Sequence, residues 1–360
     1  MTVRGLAILT RNAVRAGPVR WLRRLGVPWW LGYGLSWVLP VSTLGFLLTG
    51  PHPIGAALAW TLPVWLLIAA DRWSPVEERV VPQTAPKAFF DGLLYGEVLL
   101  QALNLLAMGQ MVSALQWSSG DAVLTALVNL LAVRILAGTN ACCSVIAPAH
   151  ELIHRRARWQ RRLGRWLLLT VFLDPFFIAH RLGHHARLGQ AEDPSTAAVD
   201  EGYESFFRRS VRRQWQIAFQ ARPRSAVFGL AVQLALVIAY GLAFGGLALF
   251  MWVYVSWAAL RLLEAVNYFQ HFGLGEMAGR PTATAWRCGS AVSLFLFFGL
   301  TRHADHHRRP AVTYPELQNR ELERAPCLRH GYLWTAIWVK NDCRGYRAWA
   351  MGVLEAQAAR

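Results

Sequence analysis

Charged residues are scarce in this sequence of 360 residues. Asp, Glu, Lys and Arg make up 16% of the chain and apolar residues 54%, whereas soluble domains carry roughly a quarter charged residues. A chain so apolar is neither intrinsically disordered nor able to cover an ordinary soluble protein of this length with polar surface. The composition therefore indicates a polytopic membrane protein.

Cysteine is also rare, and its spacing excludes several kinds of site. The five cysteines, Cys142, Cys143, Cys288, Cys327 and Cys343, include no C-x-x-C pair. Zinc ribbons and the common iron–sulfur sites use such pairs, so neither is expected within this chain. An odd and scattered set of cysteines also argues against a secreted scaffold held by disulfides.

Acidic residues are too few to balance the basic ones. There are 21 acidic and 37 basic residues, a net charge of +16, and only Lys87 and Lys340 are lysines. In a soluble protein this excess would suggest nucleic acid. In a membrane protein, arginine instead sets the orientation and contacts anionic lipid headgroups. We therefore expect membrane lipid, and no nucleic acid, to face this charge.

Long apolar stretches, by contrast, are abundant. A helix needs about 20 residues to cross a bilayer, and six stretches qualify. We predict an all-α membrane protein with spans at about residues 29–49, 53–70, 89–116, 122–147, 226–244 and 247–269. A basic segment, residues 1–28, precedes a single membrane domain, residues 29–360. Arginines are concentrated in that segment and between the fourth and fifth spans. The positive-inside rule thus places both termini and the long loop in the cytoplasm, as in a bacterial-type inner membrane.

Nine of the eleven histidines fall in four short windows. The windows read HELIH at 150–154, HRLGHH at 180–185, NYFQH at 267–271 and HADHH at 303–307. Each lies just past the inner end of a span or of a short apolar run, so all four are expected in one cytoplasmic cap. The two remaining histidines, His52 and His330, are expected to be unrelated.

Helical spacing makes these histidines candidate metal ligands. Residues at i, i+3 and i+4 share a helix face, so His150 with His154, His180 with His184, and His303 with His306 or His307 can each bind one metal. The doubled pairs His184-His185 and His306-His307 can each serve two neighbouring metals. Nine imidazoles exceed the ligands of one six-coordinate ion. We predict a dimetal site held by His150, His154, His180, His184, His185, His271, His303, His306 and His307.

The ligand type does not by itself identify the metal, because imidazole suits Zn, Cu, Fe and Ni. The first window also fits the H-E-x-x-H pattern of zinc proteases, in which Glu151 would be the general base. Catalytic zinc takes three protein ligands, however, and most of the nine histidines would then have no role. Two irons that activate O2 would use all nine. Glu151, Asp193, Asp305 and Glu264, which shares a helix face with His271, are then candidate acceptors around the ligands.

The four windows, in this order and membrane context, resemble the integral-membrane alkane 1-monooxygenase (alkane hydroxylase) family of the fatty-acid desaturase and hydroxylase superfamily. The resemblance runs from about Asp71 to Tyr332. Beyond the histidines it rests on Gly183, Glu192-Asp193-Pro194, Asn267-Tyr268, Arg302-His303 and Gly331-Tyr332. Family members commonly have Glu, Tyr and Ser where Gln270, Phe272 and Ala304 stand, which leaves the substrate open.

The resemblance implies O2-dependent hydroxylation of the terminal methyl of a medium-chain alkane or similar apolar hydrocarbon to a primary alcohol by a non-haem diiron site. It implies rubredoxin with its NADH-dependent reductase as the electron donor; a ferredoxin-type donor with an NAD(P)H-dependent reductase is the alternative. A desaturase, or a hydroxylase of aryl-methyl or terpenoid groups, is the alternative within the superfamily. A membrane metal carrier or sensor is the alternative outside it.

Three further expectations concern individual side chains. The sequence has no flavin or nicotinamide fingerprint, so a separate acidic donor should dock on the Arg-rich cytoplasmic face that includes Arg302, with Arg308 and Arg309 as contacts. Glu97 and Arg261 lie at similar predicted depths and are candidates for an ion pair. Trp60 and Trp65 are candidates for lining a substrate pocket, although core or lipid packing is the commoner role of such residues.

Overall fold

The computed structural model describes residues 27–275, 283–319 and 325–358. The basic segment expected at residues 1–28 therefore lies almost entirely outside the described residues. Within those three ranges the regular structure is helical, and the only β-structure is two isolated bridges, Val76 with Ser290 and Arg287 with Cys327.

Twelve helices follow one another along the described chain. They are α1 (Trp29–Thr49), α2 (Ile54–Arg72), α3 (Lys87–Ser113), α4 (Gly120–His154), α5 (Arg158–Leu169), α6 (Asp174–Ala179), α7 (Tyr203–Ala221), α8 (Pro223–His271), α9 (Ala291–Leu296), α10 (His303–Arg308), α11 (Tyr332–Asn341) and α12 (Cys343–Ala358). The first turns of α1 are a 3-10 helix, and α6 runs on into a π-helical turn, His180–His184. Five of the twelve, α1, α2, α3, α4 and α8, are long and apolar enough to cross a membrane.

Helix α8 supplies two crossings. Its 49 residues would extend roughly 75 Å as a straight helix, which is more than twice the hydrocarbon thickness of about 30 Å. The backbone breaks at Gly245, with φ 82° and ψ 172°, and the rings of Tyr240 and Trp252 on either side are 4.8 Å apart. The two limbs thus fold back on each other and correspond to the fifth and sixth predicted spans.

Helix α4 departs most from its predicted bounds. It continues past the predicted end at residue 147 to His154, through a π-helical segment, Ala141–Ile146. The first histidine window therefore lies on the span itself rather than on a loop after it.

The outer surface of the crossing helices is apolar. Large side chains such as Leu66 (65% exposed), Leu99 (62%), Leu242 (84%) and Phe250 (60%) point outward. A bilayer is the solvent that covers such a surface, because lipid imposes no cost on exposed Leu and Phe.

Asp71, at the end of α2, joins the spans to the C-terminal part of the chain. Its carboxylate accepts hydrogen bonds from the Oγ atoms of Ser290 (2.7 Å) and Ser293 (2.6 Å) and from the backbone N–H of Leu333 (2.8 Å). An anion at the first turn of α11 satisfies N–H groups that the helix leaves unpaired. This clamp fixes α9 and α11, the elements on either side of α10, against the membrane domain.

The expected ion pair between Glu97 and Arg261 does not form. Arg261 faces α7, where its Nη1 donates to Glu204 (2.6 Å) and its guanidinium lies over the ring of Tyr203. Glu97 is buried, and neither of its carboxylate oxygens has a hydrogen-bond partner among the described residues. A similar depth in the membrane does not bring these two side chains together, because they point to different neighbours.

Candidate metal centre

The structure brings all nine predicted histidines together where α4, α6 and α8 end and where α10 lies. They fall into two groups, in each of which the nitrogen atoms that face one another lie within 4.8 Å. The five-histidine group is His150, His154, His180, His185 and His306. The four-histidine group is His184, His271, His303 and His307.

The two groups are neighbours, and the doubled histidines connect them. His184 and His185 belong to different groups, as do His306 and His307. The ring centroids of His185 and His307, one from each group, are 4.6 Å apart. Each doubled pair is thus divided between two adjacent centres, which is the arrangement that the sequence predicts for two metals.

The partner of His180 differs from the one that helical spacing indicates. The Nε2 atoms of His180 and His185 are 3.0 Å apart, whereas His184 Nε2 lies 3.2 Å from His307 Nε2 in the other group. The cause is the π-helical turn His180–His184, in which the His185 N–H bonds to the His180 carbonyl. A π turn joins residue i to i+5, so it brings i+5 to the face that i+4 occupies in an α-helix.

The spacing within each group fits ligands of a common metal. The closest Nε2–Nε2 pairs are 3.0 to 3.3 Å apart. Adjacent imidazole nitrogens that bind one ion at about 2.1 Å are themselves about 3 Å apart. Moreover, the Nε2 atoms of His150, His154 and His271 are buried without a hydrogen-bond partner among the described residues. Such orphaned atoms are costly unless something else binds them, and a metal ion at each centre would do so.

The environment of the groups favours neutral imidazoles. Burial, helped by His184, lowers the pKa of His185 to about 3. Burial and the neighbouring histidines also hold the pKa values of His180, His303 and His306 well below the ordinary value. Metals bind the neutral form of imidazole, so the lowered pKa values of these four histidines favour metal binding.

Two contacts fix ring orientation in the four-histidine group. His184 Nδ1 is 2.9 Å from an Asp193 carboxylate oxygen, and His271 Nδ1 is 2.9 Å from the Thr284 carbonyl oxygen. Both bonds leave Nε2 for the centre of the group. Burial tends to raise the pKa of Asp193, but His184 and the hydrogen bonds from His184 and Thr196 outweigh burial and lower it. Asp193 thus acts on His184 as an ionised acceptor.

An apolar cavity adjoins both groups. His150 and His180 of the five-histidine group and His303 of the four-histidine group form one side of it. Most of the remaining wall is apolar and includes Cys142, Ile146, Phe176, Leu263, Val266 and Phe297. The cavity has a volume of about 20 Å³ and places an apolar wall directly beside the imidazoles.

A comparison with known families decides the assignment. The model of the family described as Fatty acid desaturase matches residues 125–338, more than half of the chain, and this stretch contains all four histidine windows. The chain belongs to this family. The resemblance to the desaturase and hydroxylase superfamily that the sequence indicated is confirmed.

Curated relatives of this desaturase-family chain include several hydroxylases. Alkane 1-monooxygenase 2 of Pseudomonas aeruginosa is 27% identical over 335 residues, covering 86% of this chain and 83% of that protein. Alkane 1-monooxygenase 1 of the same organism is 27% identical over 291 residues, with 74% and 73% covered. The xylene/toluene monooxygenase hydroxylase component XylM of Pseudomonas putida is 28% identical over 227 residues, with 55% and 60% covered.

The other predicted acceptors have different partners in this member of the family. Within the described residues, neither Glu151 nor Glu264 nor Asp305 bonds to an imidazole. Glu151 pairs with Arg155 (2.9 Å), Glu264 accepts from Ser210 and Gln214 (2.7 Å each), and Asp305 pairs with Arg309 (2.9 Å). Of the four carboxylates, only Asp193 contacts a histidine of the groups.

Three more sequence expectations concern arginines and histidines outside the groups. Arg302 cannot contribute to a docking surface, because it is fully buried and donates to the Leu317 carbonyl (2.6 Å). Arg308 and Arg309 are exposed beside His307. His52 and His330 lie outside both groups; His330 Nδ1 is 3.2 Å from the Arg72 carbonyl oxygen.

Trp60 and Trp65 do not line the cavity. The Trp60 ring packs against Phe46 and His52 near the outer turn, and Trp65 is 51% exposed on the lipid side. Several residues that line the cavity were not predicted, although their spacing in the sequence indicates them. Cys142 and Ile146 precede His150 by two turns and one turn, and Leu263 and Asn267 precede His271 in the same way, so helical spacing places them on the faces of the ligands.

Proposed function

We propose that this chain is a membrane diiron monooxygenase that hydroxylates the terminal methyl of a medium-chain alkane or similar apolar hydrocarbon to a primary alcohol. The observation that carries the proposal is the pair of joined histidine groups beside one apolar cavity. The relatives named alkane 1-monooxygenase support the type of reaction.

The nine histidines would hold two irons, one in each group. When bound, the irons supply the reduction of O2 that inserts one oxygen atom into the C–H bond and releases the other as water, for two electrons and two protons. The residues of the chain do the rest. Asp193 orients His184, the buried imidazoles stay neutral, and the wall formed by Phe176, Leu263 and Phe297 keeps bulk water from the methyl end of the substrate.

The position of the cavity suits a substrate that dissolves in lipid. Its walls come from α4, α6, α8 and the segment between α9 and α10, and α4 and α8 continue directly into the membrane. A hydrocarbon can therefore enter from the bilayer with one end toward the histidines, on the side that the arginine distribution assigns to the cytoplasm.

Electrons must come from a separate protein. We propose an acidic donor of the rubredoxin type, or a ferredoxin type, that docks near Arg308. This arginine is exposed and directly follows His307 of the four-histidine group. Arg309 is also exposed, and it pairs with Asp305.

The proposal is tested by incubating membranes that contain the protein with a hydrocarbon panel, reductant and labelled O2. We expect terminal alcohols that carry the label, and about two irons per chain by elemental analysis. Zinc in place of iron, or one metal per chain, would contradict the diiron site. Bound metal without any O2-dependent product would favour a metal carrier or sensor.

A desaturase is the second candidate, because the matching family model is that of fatty acid desaturases. A desaturase would remove two hydrogens from its substrate and release both oxygen atoms as water. Alkenes or unsaturated acyl chains without incorporated label would therefore establish it, and labelled alcohols would exclude it.

A further inference from the structure

An open groove lies where α2 ends and α11 begins, and none of its lining residues belongs to either histidine group. Its volume is about 320 Å³, which is within the range of ligand pockets. Arg72 and Arg329 line the groove beside His330, and Trp334 and Trp338 of α11 form much of its wall. The groove follows one face of α11, because His330, Trp334 and Trp338 are four residues apart.

The length of α2 places this groove at a boundary of the membrane. Helix α2 begins at Ile54, next to the outer turn, and ends at Arg72. Its 19 residues extend roughly 28 Å, which is close to the hydrocarbon thickness of about 30 Å. Arg72 is therefore at the depth of the lipid headgroups, on the side that the arginine distribution assigns to the cytoplasm.

Two tryptophan rings hold the guanidinium of Arg72. Its Cζ atom is 4.1 Å from the ring centroid of Trp334 and 5.0 Å from that of Trp73. Contacts of this kind use the face of the guanidinium, so the N–H groups at its edge remain for a ligand. Trp73 is 71% exposed, and tryptophan is enriched at the level of the lipid headgroups.

The two arginines of the groove have no acidic partner among the described residues. Arg155, on the same side of the membrane, forms an ion pair with Glu151 (2.9 Å). Arg72 and Arg329 form no such pair, and Nε of Arg72 is buried without a hydrogen-bond partner. Two cations that face one groove without a counterion favour an anionic ligand that accepts hydrogen bonds.

His330 lies beside both arginines. Its Nδ1 donates to the Arg72 carbonyl (3.2 Å), and Arg329 is the preceding residue. Burial lowers the pKa of His330, the hydrogen bond to the Arg72 carbonyl opposes this change, and the charges of Arg329 and Arg72 lower the pKa further. Both guanidinium groups therefore act on the same part of the groove.

The acidic residue of the groove, Asp342, is at its opposite end. Asp342 directly follows α11 and is eight residues beyond Trp334, or roughly 12 Å along a helix. Its Oδ1 accepts from the Gly345 N–H (2.9 Å), and its Oδ2 accepts from Trp338 Nε1 (3.4 Å). Asp342 thus leaves the end of the groove at Arg72 basic.

An apolar stripe of α2 leads to this basic end. Leu62, Leu66 and Trp73 are 54%, 65% and 71% exposed, and intervals of four and seven residues keep them on nearly one helix face. An acyl chain can pack along this stripe while a phosphate at its upper end meets the arginines. Free phosphate would use the arginines alone, so the stripe favours a lipid.

We propose that the groove binds an anionic phospholipid, with its phosphate between Arg72 and Arg329 and its acyl chains along the apolar stripe of α2. The site is separate from the histidine groups and does not depend on the proposed function. The bound lipid joins the end of α2 to the start of α11, next to the clamp at Asp71. Its binding therefore stabilises the membrane domain.

Binding is measured on the detergent-purified protein by native mass spectrometry and by thermal unfolding. The probes are dioleoylphosphatidylglycerol, dioleoylphosphatidylcholine, dioleoylglycerol and inorganic phosphate. We expect phosphatidylglycerol to bind at least about fivefold more tightly than phosphatidylcholine, the difference that one basic residue makes at a membrane surface, and to raise the unfolding temperature. Dioleoylglycerol lacks the phosphate and inorganic phosphate lacks the chains, so both should bind more weakly than phosphatidylglycerol.

Arg72→Gln and Arg329→Gln should each weaken the binding of phosphatidylglycerol about fivefold. Arg329 is exposed and has no side-chain partner among the described residues, so its replacement tests the site without removing a contact that holds the fold. The matched control is Arg162→Gln, which removes one exposed arginine of α5 outside the groove. Its binding of phosphatidylglycerol should remain close to that of the wild type.

Equal binding of phosphatidylglycerol and phosphatidylcholine would overturn the proposal, because the groove would then not recognise the charge of the lipid. An equal loss of binding in Arg162→Gln and Arg329→Gln would overturn it as well, since any surface arginine would then serve. Inorganic phosphate that bound as tightly as phosphatidylglycerol would show an ion site in place of a lipid site.

Discussion

The two histidine groups differ in the contacts that their rings make outside the group. The five-histidine group takes its members from the end of α4, the π-helical turn after α6, and α10, so helix faces set its geometry. In the four-histidine group, the loop residues Asp193 and Thr284 bond to the far nitrogens of His184 and His271. The five-histidine group has one more candidate ligand. In the four-histidine group, residues outside the group fix the orientation of two rings. We therefore expect the two centres to respond differently to the same kind of change.

The largest effect should come from removing one ligand from each group. His271→Ala leaves three histidines in the smaller group, whereas His154→Ala leaves four in the larger. Both variants should lose more than about 100-fold in activity, above the usual cost of losing an outer partner, because the reaction needs both metals. Iron content should separate them. We expect about one iron per chain in His271→Ala and a value nearer two in His154→Ala.

The controls for this experiment are His52→Ala and His330→Ala, which remove a histidine outside both groups. Equal iron loss in the two ligand variants would show that the groups are not independent centres. Retention of full activity in either would remove that histidine from the site.

A smaller effect should follow from replacing Asp193, the carboxylate that contacts His184 of the four-histidine group. Asp193→Asn keeps the size of the side chain but removes the charged acceptor of His184 Nδ1. Loss of such a partner typically costs 10- to 100-fold in metal affinity or activity. Iron release to a chelator, measured against time, should accelerate for one iron and not for the other.

Asp305→Asn is the matched control, because Asp305 pairs with Arg309 and not with an imidazole. We expect its iron release to remain within about threefold of the wild type. If the two variants release iron alike, the contact between Asp193 and His184 does not tune the centre.

Much of the fold could be predicted from the sequence, because a helix that crosses a bilayer needs about 20 mostly apolar residues. Hydropathy located the crossings, and the Gly245-Gly246 pair marked where α8 folds back. The nine histidines could be identified because their clustering has no structural explanation. Their division into five and four could not, because it depends on a π-helical turn at His180–His184, and no periodicity rule for α-helices reports that turn.

The direction of individual side chains was the other feature that the sequence did not reveal. Arg302 stands in a basic stretch, yet it is buried against the Leu317 carbonyl. Glu151 stands in the zinc-protease pattern, yet its partner is Arg155. In both cases charge and motif were visible, but the direction of the side chain is set by tertiary packing. Asp193 does lie against His184 (2.9 Å), and its carboxylate also accepts from the Ser195 backbone N–H and the Thr196 hydroxyl.

The smallest effect should concern the approach of electrons. Arg308 follows His307 of the four-histidine group, and Arg156 stands near His154 of the five-histidine group; both are exposed. If the donor docks on the four-histidine side, Arg308→Glu should lower donor-driven turnover several-fold and flatten its salt dependence, because steering by charge is lost. Arg156→Glu should change neither quantity as much.

Turnover with a chemical reductant distinguishes a docking defect from damage to the metal site. If only docking is changed, this turnover should be equal in both arginine variants and the wild type. The reverse ranking, with Arg156→Glu the slower variant, would place the donor beside the five-histidine group.

The clamp at Asp71 has a consequence for how the protein is made. Asp71 belongs to the second crossing, but its partners Ser290, Ser293 and Leu333 are translated more than two hundred residues later. The ribosome synthesises α2, α3 and α4 before α10. These crossings therefore enter the bilayer before the hydrogen-bond partners of Asp71 have been made. The contacts that fix the elements around the proposed metal site are complete only after synthesis has passed Leu333. We expect a chain truncated before that residue to lack the contacts that hold α11 against the membrane domain.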